Sequence, residues 1–210
     1  MYKQLTTVVF SLAFIIFLFS QCNDNKSNVA QSSKDTVLVG ASPIQNGGFE
    51  SQVKWGAHLV SICACNDCHT PKKFTEHGME FDSSLLLSGH PSKMPPPDID
   101  RKLFESKGLI GTNDLTSWVG PWGISYTANI TSDETGIGNW TEDQFLLCIR
   151  EGKWKGQKNS RSLMPPMPWF TYRLMTDGEL KAIFAYLKST KPIQNIEPPI
   201  VPPVSAPHQQ

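Results

Sequence analysis

The chain has 210 residues, of which 39% are hydrophobic, enough for one globular core but hardly for two well-packed domains. Its 19 Lys and Arg residues balance 19 Asp and Glu residues, and no basic run alternates with aromatic residues. This charge pattern disfavours nucleic-acid binding. We therefore expect one domain with tails and no nucleic-acid partner.

The first residues predict export from the cytoplasm. Lys3 precedes an apolar run from Val8 to Phe19, which is too short to span a bilayer comfortably and suits a signal peptide. The run ends at Cys22 and a polar stretch follows, an arrangement that resembles a bacterial lipoprotein signal. The resemblance implies that residues 1–21 are an export signal, that Cys22 is lipidated, and that residues 22–35 are a flexible tether.

Lipidation of Cys22 would place the protein on the periplasmic side of a bacterial cell envelope, anchored to a membrane. Several acyl chains hold a protein on a bilayer far better than one chain does. Two alternatives stay open at this point. One is a plain secretory signal that is cleaved nearby, and the other is an uncleaved anchor.

Three stretches predict helices. In "FESQVKWGAHLVSICAC" the apolar and small residues recur at helical spacing and lead into a cysteine cluster. The stretches "NWTEDQFLLCIREG" and "MTDGELKAIFAYLKSTKP" each begin with a capping box, formed by Thr141 with Gln144 and by Thr176 with Glu179. Gly152 is a natural end for the second helix. No strand pattern is evident.

The segment between residues 70 and 139 is rich in Gly, Pro, Ser and Trp and mostly lacks periodicity. So long an irregular stretch in a compact domain usually wraps something, which we expect to be a cofactor. The last residues, 192–210, hold six prolines and predict an extended tail. The predicted domain therefore occupies residues 36–191.

The motif "CNDCHTP" carries the chemistry. Cys65, Cys68 and His69 have the C-x-x-C-H spacing at which two thiols bind a haem covalently while the histidine reaches the iron. Two alternatives are a structural zinc site that also uses Cys63, and a disulfide between Cys65 and Cys68. Zinc ligands usually come from two separate knuckles, so four within seven residues would be cramped. We therefore expect one covalent haem c.

A second axial ligand is offered by "RSLMPPMPWFTY". Met167 lies between Pro166 and Pro168, and prolines on both sides restrict the loop, which suits a thioether that must meet the iron at one point. Met164 precedes Pro165 and is the other candidate. The alternative is that both methionines only fill gaps in the core.

With these residues in view, the chain resembles a class I cytochrome c, and in particular the mono-haem bacterial group related to cytochrome subunits of membrane dehydrogenases. The resemblance implies an all-α fold around one haem, with a long irregular insertion between the haem motif and the axial methionine. It also implies His69 and Met167 as iron ligands, and first and last helices that cross at Gly56 and Tyr186. Cys63 and Cys148 have no counterpart in the family pattern. Two interpretations of them stay open, a disulfide between the two residues and two buried thiols.

The expected function is electron transfer, because an iron bound by His69 and Met167 has no open position for a substrate. The protein would not be an enzyme by itself. It would pass electrons between an envelope dehydrogenase or respiratory complex and a downstream redox protein. The alternatives are a peroxidase-like haem protein with a displaceable sixth ligand and, from another class, a zinc-binding module.

Four other polar residues are weaker candidates. His77 and His90 could replace the methionine as ligands, but a role in loop hydrogen bonding is the more ordinary explanation. Asn129 and Arg150 could bind a haem propionate, although capping or surface roles fit them as well.

Overall fold

The structure is a computed structural model that describes residues 45–205. Short 3-10 turns lie at Gln45–Gly48, Ser83–Leu85 and Trp154–Gly156. The helices and strands of this part follow in chain order: α1 (Gln52–Ile62), α2 (Cys65–His69), β1 (Lys72–Thr75), β2 (Gly78–Phe81), α3 (Arg101–Lys107), β3 (Ser117–Gly120), β4 (Gly123–Tyr126), α4 (Glu142–Glu151), α5 (Trp169–Tyr172) and α6 (Asp177–Lys188).

The three predicted helices are confirmed as α1, α4 and α6. Both capping boxes form, because the side chains of Thr141 and Thr176 accept the backbone N–H groups of Gln144 and Glu179, whose side chains bond back. Helix α4 ends at Gly152, whose φ of 62° is in the left-handed region that favours glycine.

Helices α1 and α6 pack against each other at a glycine, as the resemblance implies. A Cβ atom added to Gly56 would overlap the carbonyl oxygen of Ala182 and approach the Cβ of Tyr186 to 2.8 Å. The absence of a side chain at Gly56 therefore lets the two helix backbones approach closely.

The hydrophobic core lies where α1, α4 and α6 meet. Apolar burial of this kind is the main favourable contribution to folding. Two predicted haem-site residues, Cys65 and Met167, pack against this core from different parts of the chain. The buried core residues are Leu59, Val60, Leu87, Ile137, Phe145, Ile149, Leu180, Ala182, Ile183, Phe184 and Leu187.

The expectation of an all-α fold is wrong, because two antiparallel hairpins lie between the haem motif and α4. In the first, Lys72 pairs with Phe81, and in the second, Ser117 pairs with Tyr126. Strands β1 and β2 are almost fully exposed, whereas β3 and β4 are almost fully buried. Neither pattern alternates between apolar and polar residues, so periodicity could not reveal strands this short. The contact of α1 with α6 at Gly56 nevertheless agrees with the resemblance.

The described part of the proline-rich tail, residues 192–205, makes hydrogen bonds to the domain. Val201 and Ile124 exchange two backbone hydrogen bonds, at 2.8 and 3.0 Å, so the tail extends the β3–β4 hairpin by one bridge. Asn195 in the tail donates its side-chain amide to the carbonyl oxygens of Ser88 and His90. These bonds tie the tail to the irregular segment.

Several predictions concern residues outside the described range. The export signal 1–21, the lipidation site Cys22 and the tether 22–35 all precede residue 45. Among residues 45–205, none of the helices has both the length and the apolar character needed to cross a membrane.

Candidate functional site

Helix α2 presents the haem motif. It begins after Ala64, whose left-handed conformation (φ 56°) turns the chain between α1 and α2. Cys65 and Cys68 are three residues apart and therefore lie on one side of this helix. The helix ends at Thr70, a fully buried residue whose hydroxyl donates to Asn66 and accepts the backbone N–H of Leu87. The motif is thus held at both ends.

The imidazole of His69 has a fixed orientation. Its Nδ1 donates to the carbonyl oxygen of Ala128 at 2.8 Å. The backbone carbonyl oxygen of His69 accepts the N–H of Gly89. Because a carbonyl oxygen can only accept, Nδ1 carries the hydrogen, and in the neutral ring Nε2 carries the free lone pair. Burial lowers the pKa of His69 and favours this neutral form. This is the tautomer that a metal-binding histidine needs.

The four cysteines of the described chain, Cys63, Cys65, Cys68 and Cys148, are all free thiols. Neither of the disulfides considered from the sequence is formed. Burial raises the pKa of Cys65 to about 12 and also raises that of Cys68, so both thiols are protonated at neutral pH. Cys148 is buried within α4 as a small apolar side chain.

Met167 is half-buried and lines a cavity of about 340 Å³. Of the two candidate methionines, it is Met167 that forms part of the cavity wall. The other lining residues are Ile110, Trp122, Leu163, Pro165, Pro166, Trp169 and Phe170. The wall is almost entirely apolar and aromatic, as the surroundings of a flat apolar cofactor should be.

One contact joins the methionine loop to β4, and a second joins the following helix α5 to the haem motif. The hydroxyl of Ser125 on β4 donates to the carbonyl oxygen of Pro165 at 2.6 Å. The hydroxyl of Tyr172 on α5 donates to the carbonyl oxygen of Cys63 at 2.6 Å, just before the haem motif. The sequence did not reveal the roles of Ser125, Ala128 and Tyr172. Ser125 and Tyr172 donate to backbone carbonyls of residues far away in the chain, and Ala128 contributes only its own backbone carbonyl.

A second cavity, of about 430 Å³, lies beside the haem motif. Burial lowers the pKa of Lys72, whose ammonium donates to the carbonyl oxygen of Asp67. Elsewhere, Ser117 on β3 and Thr127, which follows β4, have buried hydroxyls with no hydrogen-bond partner. The cavity is lined by Asp67, Lys72, Met79, Glu80, Phe81 and Leu115.

These features fit a haem. The donor set consists of two thiols one helical turn apart, an imidazole with a free Nε2, and a thioether on an apolar cavity wall. Within residues 45–205, no three His, Cys, Asp or Glu side chains are grouped as ligands of a metal ion would be.

The weaker candidates have structural partners. His90 is fully buried, with Nδ1 bonded to the hydroxyl of Thr116 and Nε2 to the carbonyl of Met94. His77 lies on the exposed turn between β1 and β2.

Asn129 and Arg150 bind protein groups as well. The amide of Asn129 donates to the carbonyl of Ile193, and Arg150 on α4 donates to Asp177 at the start of α6. Both side chains therefore join segments of the fold.

The helical packing and the donor set together define the class, a cytochrome c. No protein-family model matches the chain. Similar proteins indicate the type of cytochrome c. The chain is 28% identical to the cytochrome c subunit of the quinone alcohol dehydrogenase of Gluconobacter oxydans, over 85% of its own length. It is 35% identical to the corresponding subunit of Gluconacetobacter polyoxogenes over 75% of its length.

A shorter match, 40% identical over 31% of the chain, is to the gluconate 2-dehydrogenase cytochrome c subunit of Pantoea cypripedii. The chain spans 32%, 26% and 14% of the length of these three relatives. The chain is thus a cytochrome c of the type found as subunits of bacterial dehydrogenases.

Proposed function

We propose that the chain binds one haem covalently through Cys65 and Cys68, with His69 and Met167 as axial ligands, and that it carries electrons. The observation that carries the proposal is the hydrogen bond from His69 Nδ1 to the carbonyl of Ala128, because it leaves Nε2 free to bind iron. When bound, the haem supplies a one-electron ferric and ferrous couple.

The residues of the chain have distinct tasks in this proposal. Cys65 and Cys68 hold the cofactor by thioether bonds, so that it cannot dissociate. His69 binds the iron from one side, and Ala128 keeps its ring oriented. Met167 would be the second iron ligand, and its sulfur would stabilise the ferrous state and raise the potential. Trp122 and Trp169 exclude water from the methionine side.

Electron transfer, rather than catalysis, follows from the two axial ligands. With both in place, no iron position is open to a substrate, so the protein needs a redox protein as donor and another as acceptor. The three relatives are subunits of dehydrogenases, which supports an envelope dehydrogenase or respiratory complex as the source of electrons. A raised potential suits transfer toward a downstream acceptor.

The ligand assignment is tested by replacing each methionine with leucine, a near-isosteric change. We expect Met167→Leu to abolish the weak far-red band of the ferric protein, lower the potential and allow carbon monoxide to bind the ferrous protein. Met164→Leu is the matched control and should change little. The reverse pattern would assign the ligand to Met164, and carbon monoxide binding by the unmodified protein would favour the peroxidase-like alternative.

Covalent attachment is tested by acid-acetone extraction. The colour should stay with the protein, and replacing Cys65 and Cys68 together by Ala should prevent attachment. Cys63→Ala is the control, because Cys63 lies outside the C-x-x-C-H spacing and should leave attachment unchanged. Colour in the organic layer of the unmodified protein would contradict a covalent haem.

We also propose that residues 1–21 direct export and that lipidated Cys22 anchors the protein on the periplasmic side of the envelope, with residues 22–35 as tether, 36–191 as domain and 192–210 as tail. Cys22→Ser should release the domain as a soluble protein outside the cytoplasm. If this variant stays membrane-bound with its first residues intact, the segment is an uncleaved anchor.

A further inference from the structure

We propose that Ser125 is a positioning residue for the sixth ligand: its hydroxyl fixes the loop that carries Met167 and thereby strengthens the bond of the sulfur to the iron. This inference rests on the proposed function. It concerns how the chain keeps the methionine in place against competing ligands.

The loop from Met164 to Pro168 has few hydrogen bonds of its own. Three of its five residues are prolines, which lack a backbone N–H. The N–H of Met167 donates within the loop, to the carbonyl of Met164 at 3.2 Å. The loop therefore cannot join a strand or a helix by donating, and bonds from outside must reach its carbonyl oxygens.

Ser125 makes such a bond. Its side chain is buried, with 4% of the residue exposed, and its Oγ donates to the carbonyl oxygen of Pro165 at 2.6 Å. Among the described residues, this is the one side-chain hydrogen bond that reaches Met164–Pro168 from another segment. Strand β4 fixes the serine backbone, since β3 pairs with it on one side and Val201 on the other.

Trp122 orients the serine hydroxyl. Its Nε1 donates to Ser125 Oγ at 3.1 Å, so one lone pair of the oxygen is occupied and the hydroxyl hydrogen is directed to Pro165. The ring of Trp122 also lines the cavity that contains Met167. One chain of two hydrogen bonds therefore runs from the cavity wall to the methionine loop.

The backbone that follows Ser125 also orients His69. Ala128, three residues after Ser125, accepts the hydrogen bond from His69. Residues 125–128 thus contact the elements that carry both proposed ligands. Removal of the Ser125 hydroxyl should loosen the methionine side and leave the histidine side in place.

The test is a titration of the ferric holoprotein with imidazole, which competes with the methionine sulfur for the iron. Loss of one hydrogen bond in Ser125→Ala should tighten apparent imidazole binding about fivefold to tenfold and weaken the far-red band. Covalent attachment through Cys65 and Cys68 should be unchanged, which shows that the haem motif is intact in the variant.

Ser132→Ala is the matched control. Its hydroxyl also joins distant segments by donating to a carbonyl, that of Thr190 at 2.5 Å, but it does not touch the methionine loop. Imidazole affinity should be unchanged in this variant. Trp122→Phe keeps an aromatic side chain, although a smaller one, and removes the N–H that donates to Ser125. It should tighten imidazole binding by a smaller factor, and it decides the question if Ser125→Ala does not fold.

The possible failures are distinguishable. If Met167→Leu removes the far-red band but Ser125→Ala tightens imidazole binding no more than Ser132→Ala, the ligand assignment stands and the role of Ser125 is wrong. If Met167→Leu leaves the band in place, the ligand assignment fails and the role of Ser125 fails with it.

Discussion

The helices α1, α4 and α6 bury apolar side chains against one another, whereas the segment between residues 70 and 139 buries many polar side chains beside a few apolar ones. Every buried polar or charged residue in the described chain lies between Thr70 and Thr131. Most of the buried apolar core belongs to the helices, although Leu87 and Ile137 of the segment also contribute. The balance between apolar burial and hydrogen bonding therefore differs between the two regions.

The difference assigns each region a task. Apolar burial is non-directional, so the helices can support α2 firmly without determining where any single hydrogen bond points. Hydrogen bonds are directional and lose strength quickly when misaligned. The irregular segment can therefore orient single groups, as Ala128 orients His69 and Ser125 holds Pro165.

The largest effect should come from disturbing the contact of α1 with α6. Gly56→Ala introduces a Cβ that overlaps the carbonyl of Ala182, so the helices must separate. We expect the free energy of unfolding to fall by about 2 to 3 kcal/mol, measured by denaturant titration. The control is Gly178→Ala in α6, whose Cβ would meet Trp55 at 3.3 Å and should change stability by less than about 1 kcal/mol. Equal losses would mean that the close approach at Gly56 is not special.

A somewhat smaller loss should follow from removing a buried polar side chain. Asn129 is 3% exposed, and its amide donates to Ile193 while its oxygen accepts from Thr131. Asn129→Ala leaves these partners unsatisfied and should cost about 2 kcal/mol in thermal unfolding experiments. Asn139→Ala, at an exposed position, should stay within about 0.5 kcal/mol of the unmodified protein. A neutral Asn129→Ala would show that polar burial does not hold this segment.

The tail offers a milder test. Val201→Pro removes the N–H that donates to the carbonyl of Ile124 at 3.0 Å, and should lower stability by about 1 kcal/mol. Hydrogen exchange at Ile124 should accelerate in the same variant, because the amide of Ile124 donates to the carbonyl oxygen of Val201 in this bridge. Ile200→Pro removes a similar aliphatic side chain next to the bridge and is the control; exchange at Ile124 should change less in it. Equal acceleration would indicate that the backbone pairing is unimportant.

The smallest effect concerns the pH dependence of stability. Burial lowers the pKa of His90, against raising influences from its bond to Met94 and from the charge of Asp114. The unfolded chain, with a histidine pKa of about 6.5, then binds more protons than the folded chain just below that pH. The contribution of His90 to stability should therefore be complete above pH ~6.5 and should decline between that pH and the lower pKa of the folded chain.

Replacement of His90 by Gln should make this decline shallower in the holoprotein, whatever it does to absolute stability. His77→Gln is the control, because His77 is exposed and should leave the slope unchanged. The measurement is the midpoint of thermal unfolding between pH 7 and pH 5. An unchanged slope in His90→Gln would show that protonation of this buried histidine does not limit stability in acid.

Local pattern was sufficient to predict the helices and to find the C-x-x-C-H motif, whose role in binding a haem is our proposal. The capping boxes at Thr141 and Thr176 and the apolar spacing of α6 are determined by residues within one or two helical turns, so they can be recognised without knowledge of the fold. Cys65, Cys68 and His69 are recognisable for the same reason, since their chemistry depends on spacing within five residues.

Only the tertiary structure revealed the hairpins and the support of the site. Strands β3 and β4 are buried on both faces and show no alternation, and the tail pairs with β4 across more than seventy residues. The acceptors for His69 and Ser125 are backbone carbonyls, which every residue possesses and which leave no mark in a sequence. Which sulfur lines the cavity was likewise decided by packing, because Met164 and Met167 have nearly the same neighbours along the chain.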